Sequence, residues 1–412
     1  MVSIDPVPSA LVPINSAAAD AIGAPNYDEF QNDGEVWDIL QRQPKSVLKV
    51  TMPQCDVPAR DGILDEHDEA TLAKAGANLA ALAADPATHI LRDILWVYEI
   101  AVPSDPSIRQ IGLGGMGRTN EIRTPANPGG SIIRNEGVRE SKARGRADLT
   151  QATRADIGMV NNAVDDLHGE FYSALDLHAR NHPVSFETRD EDGNRHRVWL
   201  VQDSATIAAL RGILAKEAWA YVADGNHRSA AAAMLGNQHF LTVFFPARTM
   251  TIAPYNRLVD AGATSRAALR EALTRSFTVE AAPVAGAYQP AHTHEIGLYD
   301  GERWWRLKPS PGTYDPNDAA RDIDADIVQR LLFAGILGIT DARDERLTYV
   351  GANRDGRWLQ DEVDAGRHSL AVTLPPVTMK QFVNVCLQDT LMPPKSTWFV
   401  PKIRTGLVIA LL

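Results

Sequence analysis

The stretch AWAYVADGNHRSAAAAMLG (218–236) constrains the fold more than any other part of the chain. An apolar run ending at Asp224 reads as a strand, Gly225 permits a tight turn, and alanine-rich RSAAAAML is a strong helix former. Gly236 supplies a C-cap, and HFLTVFFPA then reads as a second strand. The first amides of such a helix are unpaired and carry partial positive charge, so they favour an anion. His227 and Arg228 add donors, the arginine as a planar fork suited to phosphate, and Ser229 follows. Asp224 could ligate Mg²⁺ or accept a hydroxyl proton. The same residues also fit a plain strand–turn–helix in which Asp224 caps the helix and Arg228 pairs with a surface carboxylate.

Elsewhere, helices are expected over 66–82, where Asp85-Pro86 is a stop signal, and over 205–216, 265–277 and 322–337. A charged helical stretch is expected over 136–180. Residues 90–102 read as one or two strands, 196–202 as a strand, and 297–309 as a hairpin around Asp300-Gly301. Residues 1–45 are rich in Pro and Ala and read as surface loops with short elements. Residues 103–135 are dense in Gly, Pro, Asn and Thr and read as irregular. Within them, Gly112-Leu113-Gly114-Gly115-Met116-Gly117 satisfies G-x-G-x-x-G, but RTNEIRTPANPGG follows without helical period, which favours a glycine-rich loop over a dinucleotide site. The C-terminal WFVPKIRTGLVIALL reads as strand. Helices and strands alternate, so the fold class is α/β, or mixed α+β.

Lys+Arg of 41 against Asp+Glu of 52 gives a net charge of −11, which argues against a nucleic-acid partner. No apolar run approaches the ~18 residues that span a bilayer, so no membrane partner is expected. The first 25 residues carry two acids, no base and four prolines, unlike a secretion signal. Cys55 and Cys386, the only cysteines, form no framework. A soluble cytoplasmic protein is the expectation. The histidines, His67 among them, form no HExxH pattern; His292 and His294 are the nearest pair.

ADGNHRSAAAAMLG resembles the ADGHHR-type motif of the ParB/sulfiredoxin-like superfamily, which includes partition proteins, sulfiredoxins and free-serine kinases. APNYDEF (24–30), Asn135-Glu136 with the basic residues to 146, PYNRLV (254–259) and MPPKSTWFVPKIRTGLVI (392–409) resemble segments of the domain-of-unknown-function 1015 family within it. The resemblance implies a ParB/sulfiredoxin-like phosphate-binding core over 130–260, with an N-terminal region 1–129 and a C-terminal region 261–412. It implies that the 224–229 turn holds nucleotide phosphates. It also implies that Glu136, 88 residues before Asp224, corresponds to the catalytic base of the free-serine kinases. Arg146 falls where the family has a recurrent Arg and could touch nucleotide or an acidic substrate. Lys395 and, more weakly, Lys402 could reach a phosphate or carboxylate. Residue patterns alone read Glu136 and Arg146 as parts of a solvated charged helix, and the lysines as exposed.

Two positions depart from the family. Asn226 and Asn135 stand where it usually reads His, and asparagine hydrogen-bonds but does not titrate. The combined expectation is a kinase transferring phosphate from ATP or ADP, with Mg²⁺, to the hydroxyl of a small molecule, an amino acid such as serine. The rival is a nucleotide-binding regulatory protein of the ParB-like type that does not transfer phosphate.

Overall fold

The computed structural model describes residues 1–66 and 68–412. They form two units: Met1–Arg134 with Val138–Met250 and Pro401–Leu412, and Asn135–Gly137 with Thr251–Val400.

The first unit is built on a 12-stranded mixed sheet. Its main path runs Ile132–Arg134, Ala220–Asp224, Val160–Val164, His239–Pro246, Arg109–Arg118, Thr88–Ala101, Val7–Pro13, Ile409–Leu411, Ala155–Asp156. The central strands are apolar on both faces, as strands covered on both sides must be. Leu95, Val97, Ile111, Leu113, Val222 and Phe244 form the heart of one core cluster. The expected strand–turn–helix–strand is Ala220–Asp224, Asn226–Met234 and His239–Pro246, and Gly236 takes the left-handed conformation (φ 68°) just past the helix end. The helix expected over 66–82 is Glu69–Ala84, stopped by Asp85; His67 lies outside the described residues.

Three sequence expectations are corrected in this unit. Residues 109–118 are not a loop but a buried strand between Thr88–Ala101 and His239–Pro246. Its glycines make room for neighbours: a Cβ on Gly114 would lie 1.9 Å from the Trp96 ring, and one on Gly112 would lie 2.6 Å from the Phe244 carbonyl oxygen. That excludes a dinucleotide turn there. Residues 7–13 form a strand paired with Thr88–Ala101, driven by burial of Ala10, Leu11 and Val12. The stretch 136–180 contains two helices, Glu140–Thr153 and Glu170–Asn181, separated by the strands Ala155–Asp156 and Val160–Val164.

The second unit carries a six-stranded, wholly antiparallel sheet in the order Phe277–Ala281, Trp304–Pro309, Ile296–Tyr299, Leu370–Thr373, Asn256–Val259, Leu347–Val350. The expected hairpin turns at Gly301 (φ 82°), where Asp300 accepts from the Glu302 and Arg303 amides. Trp304 is core, packed with Tyr299, Leu258 and Leu359. The expected helix over 265–277 is Arg266–Leu273, capped by Ser265, and that over 322–337 is Asp324–Val328 continuing as a π-helix to Ala334. The C-terminal run is two strands, Trp398–Val400 in this unit and Ile409–Leu411 in the first, because Pro401 cannot donate to a ladder. No helix among the described residues is long and apolar enough to cross a membrane.

Candidate functional site

Strand Ala220–Asp224 runs parallel to Ile132–Arg134 and antiparallel to Val160–Val164. Its register with the latter shifts between Val222 and Asp224, an irregularity that re-aims the strand end. Gly225 follows at φ 101°, ψ 26° and caps helix Asn226–Met234. A Cβ there would meet the Val160 Cα at 3.2 Å, so both conformation and space select glycine.

Asp224 is the hub of the turn. Its Oδ1 accepts from Arg228 Nη2 at 3.1 Å and its Oδ2 from Lys402 Nζ at 2.7 Å, all three side chains being largely buried. Arg228 Nη1 also donates to the Met159 carbonyl at 2.5 Å and to Asn26 Oδ1 at 3.2 Å. Asn26 Oδ1 accepts from the Thr405 hydroxyl too, and its Nδ2 donates to the Ile403 carbonyl. Residues 24–30, 224–229 and 401–406 thus meet at one place.

Burial opposes the charges of Arg228 and Lys402, but the facing acids outweigh it and hold both above their ordinary ranges; Asp224 acts most strongly, with Asp28 and Glu29 beside it. Glu29 is pushed up to about 8 by burial, with Asp28 and Asp224 adding to the effect against Lys402. At pH 7 Glu29 is therefore mostly neutral, which leaves Asp28 and Asp224 facing two cations. Glu29 also accepts from the Asn26 amide at 2.6 Å, closing a capping box.

The remaining predicted residues of this unit have defined settings. Asn226 opens the helix and is buried. His227 Nε2 accepts from the Arg139 amide at 3.1 Å, which puts the ring proton on Nδ1 and ties the turn to the start of Glu140–Thr153. Ser229 is fully buried and donates to the Asn226 carbonyl at 3.0 Å, bracing the first helical turn. Arg146 is not a bare member of a charged face: its guanidinium lies 4.1 Å over the Tyr27 ring and 3.6 Å from Glu66 Oε2.

Asn135, Glu136 and Lys395 belong to the second unit. The Met392 amide donates to the Asn135 carbonyl at 2.9 Å, Glu136 forms a parallel bridge with Met392, and Asn135 Nδ2 lies 3.4 Å from Thr397 Oγ1. Lys395 adopts φ 61°; its carbonyl accepts from Arg257 Nη2, and its Nζ lies 5.5 Å over the Tyr255 ring. Burial lowers Arg257, and the negative potential of Tyr349, Tyr255 and Glu136 partly offsets this. The NE pair, PYNRLV and MPPKSTW are one assembly in this unit.

Among the described residues, no group of three or more His, Cys, Asp or Glu could hold a metal ion. Both Asp224 oxygens already face cations, so a metal arriving with a phosphate would compete with Lys402 or Arg228. Sequence reasoning passed over Asn26 and Glu29 as site residues; their signal was the N-x-x-E spacing of a capping box in NYDE.

These features define a mixed α/β protein with an acid-and-cation cluster at a strand–glycine–helix turn. The chain belongs to the family described as "Protein of unknown function (DUF1015)", whose sequence profile matches residues 5–331. The match includes the 24–30, 135–136, 224–229 and 254–259 segments and ends before 392–409. No curated protein matches the chain significantly. Similar solved structures include a free serine kinase in complex with AMP (13% identity, 67% of this chain and 89% of that one, TM-score 0.36). SbnI with a C-terminal truncation, from Staphylococcus aureus, is similar at 11% identity, covering 71% and 87%, with a TM-score of 0.38. A conserved hypothetical protein from Pyrococcus furiosus is similar at 12% identity, covering 67% and 92%, with a TM-score of 0.35.

Proposed function

We propose that this protein is a cytoplasmic nucleotide-dependent kinase that phosphorylates the hydroxyl of a small molecule, an amino acid such as serine being the first choice. The observation that carries the proposal is the turn: a left-handed Gly225 opening a helix beside the buried Asp224–Arg228–Lys402 cluster. Helix N-terminal amides at Asn226 and His227 are suited to a phosphate, and the two cations set the turn's shape and field. We read this turn as part of a ParB/sulfiredoxin-like core over 130–260, from the resemblance of the ADGNHR segment.

In the transfer, the acceptor hydroxyl oxygen bonds to the terminal phosphorus of ATP or ADP while the bond to the leaving phosphate oxygen breaks. Glu136 takes the hydroxyl proton, and the shortened nucleotide leaves. Mg²⁺ accompanying the nucleotide would spread the phosphate charge, with Asp224 as its candidate ligand once Lys402 or Arg228 yields an oxygen. Arg146 and Lys395 are candidate contacts for nucleotide or acceptor.

One observation favours the rival reading of a nucleotide-binding regulatory protein: Asn135 and Asn226 remove two titratable groups from the family pattern. The test is to incubate the protein with Mg-ATP or Mg-ADP and a panel of hydroxy amino acids and follow phosphorylated product by ³¹P NMR. Nucleotide binding without conversion of any acceptor rejects the kinase and keeps the regulatory reading.

A further inference from the structure

The charges inside the 224–229 turn cancel. Arg228 and Lys402 are matched by Asp224 and Asp28, and Glu29 is mostly neutral at pH 7. The helix-opening amides at Asn226 and His227 suit one phosphate. A second phosphate group would bring charge that nothing within the cluster meets.

Arg134, in the same unit, ends the strand Ile132–Arg134. That strand runs parallel to Ala220–Asp224 with Arg134 opposite Val222, so both strands finish at the same end of the sheet. At ordinary strand spacing and rise, the Arg134 Cα lies about 8 Å from that of Asp224, within reach of an arginine side chain. Open α/β sheets bind ligands beyond the carboxyl ends of their strands. Among the described residues the Arg134 guanidinium has no ion pair, hydrogen bond or ring contact; burial alone acts on it and pushes it below its ordinary range. Half-burying a charge that no counter-charge faces opposes folding. The group is nevertheless not walled in: Arg228 Nε is both enclosed and unbonded, whereas no Arg134 nitrogen is enclosed. An open, unpaired guanidinium beside a charge-balanced phosphate turn is a planar fork suited to one more anion.

We infer that Arg134 is a specificity-determining contact for the phosphate chain: with one phosphate on the helix-opening amides, its fork takes the next one along. The site then favours nucleoside di- and triphosphates over monophosphates. The inference rests on the nucleotide reading above and adds the residue that reads the length of the phosphate chain. An acceptor carboxylate is the other anion that a guanidinium here could hold, and the test separates the two.

Isothermal titration of the full chain with AMP and ADP, at fixed ionic strength and in EDTA, tests this. Wild type is expected to bind ADP about ten-fold or more tightly than AMP. Arg134→Met should bring that ratio below about three-fold while holding AMP affinity within about two-fold. Arg134→Lys, a point charge without the fork, should fall between the two. Because it removes an unpaired, half-buried charge, Arg134→Met should also melt at or above wild type. Equal AMP and ADP affinities in wild type, a ratio that survives Arg134→Met, or an equal loss of both nucleotides overturns the inference. A raised KM for the acceptor with the ratio intact overturns it as well and assigns Arg134 to the acceptor carboxylate. A variant that melts well below wild type overturns it by showing that the guanidinium serves the fold. Binding of neither nucleotide to wild type removes the nucleotide reading too. An ADP preference that Arg134→Met abolishes, without phosphotransfer to any acceptor, supports the inference and removes only the kinase.

Discussion

Lys402 Nζ and Asp224 Oδ2 lie 2.7 Å apart, although 178 residues separate them in the chain. Their side chains are only 15% and 12% exposed, and Asp224 is the acid that acts most strongly to hold the Lys402 charge against burial. The pair joins the helix-opening turn to the segment that follows Pro401.

Removing one partner should therefore cost far more than a surface ion pair does. Lys402→Met takes the cation from Asp224 Oδ2 and is expected to lower stability by about 3 kcal/mol. Adding Asp224→Leu should deepen that loss, because it takes from the buried Arg228 its strongest facing acid. Urea denaturation of the two variants checks this; a single variant as stable as wild type would mean that Lys402 contributes nothing to the fold.

Glu29 gives the cluster a pH signature. Its value of about 8 in the fold exceeds the ordinary 4.5, so between those limits the native state binds more protons than the unfolded chain. Stability then falls as pH rises through that window. Glu29→Gln, neutral throughout, should flatten this part of the curve and melt above wild type beyond pH 8. Melting temperatures from pH 5 to 9 decide it, with parallel curves assigning the slope to other groups.

At Gly225, alanine would have to adopt φ 101° with its Cβ 3.2 Å from Val160 and 3.1 Å from Arg228 Nε. Gly225→Ala is expected to cost more than about 1 kcal/mol. It should also weaken nucleotide binding at least about ten-fold while far-ultraviolet circular dichroism stays native. Undiminished affinity would take the phosphate away from this turn.

The proposed base is tested separately from binding. Glu136→Gln should slow phosphotransfer by about 10²–10⁴-fold and leave the nucleotide Kd unchanged. Full turnover in that variant would assign the proton to another group.

The fold was legible wherever one short-range signal dominated. The 218–246 segment was read correctly because strand, glycine turn and alanine helix each show their own period. The hairpin at Asp300-Gly301 was equally plain. The buried strand 109–118 was missed because its glycines answer to Trp96 and Phe244, which lie on other strands and are invisible to a local pattern. Val7–Pro13 was missed because its alternation is hidden among prolines and alanines, while its burial comes from partners at 88–94 and 409–410. The turn residues could be named from sequence, but their partners could not. Nothing local links Arg228 to Asn26, or Asp224 to Lys402.

The first unit is completed by residues 401–412, which bring Lys402 to Asp224 and add the strand Ile409–Leu411 beside Val7–Pro13. On the ribosome, those residues emerge only after the whole of 251–400 has been made. Until then Asp224 must wait without the Lys402 cation and Val7–Pro13 must stand as an open sheet edge, the kind of strand that invites wrong partners. A nascent chain stalled near residue 400 should therefore be a better client for a chaperone than one in which residues 401–412 have already emerged.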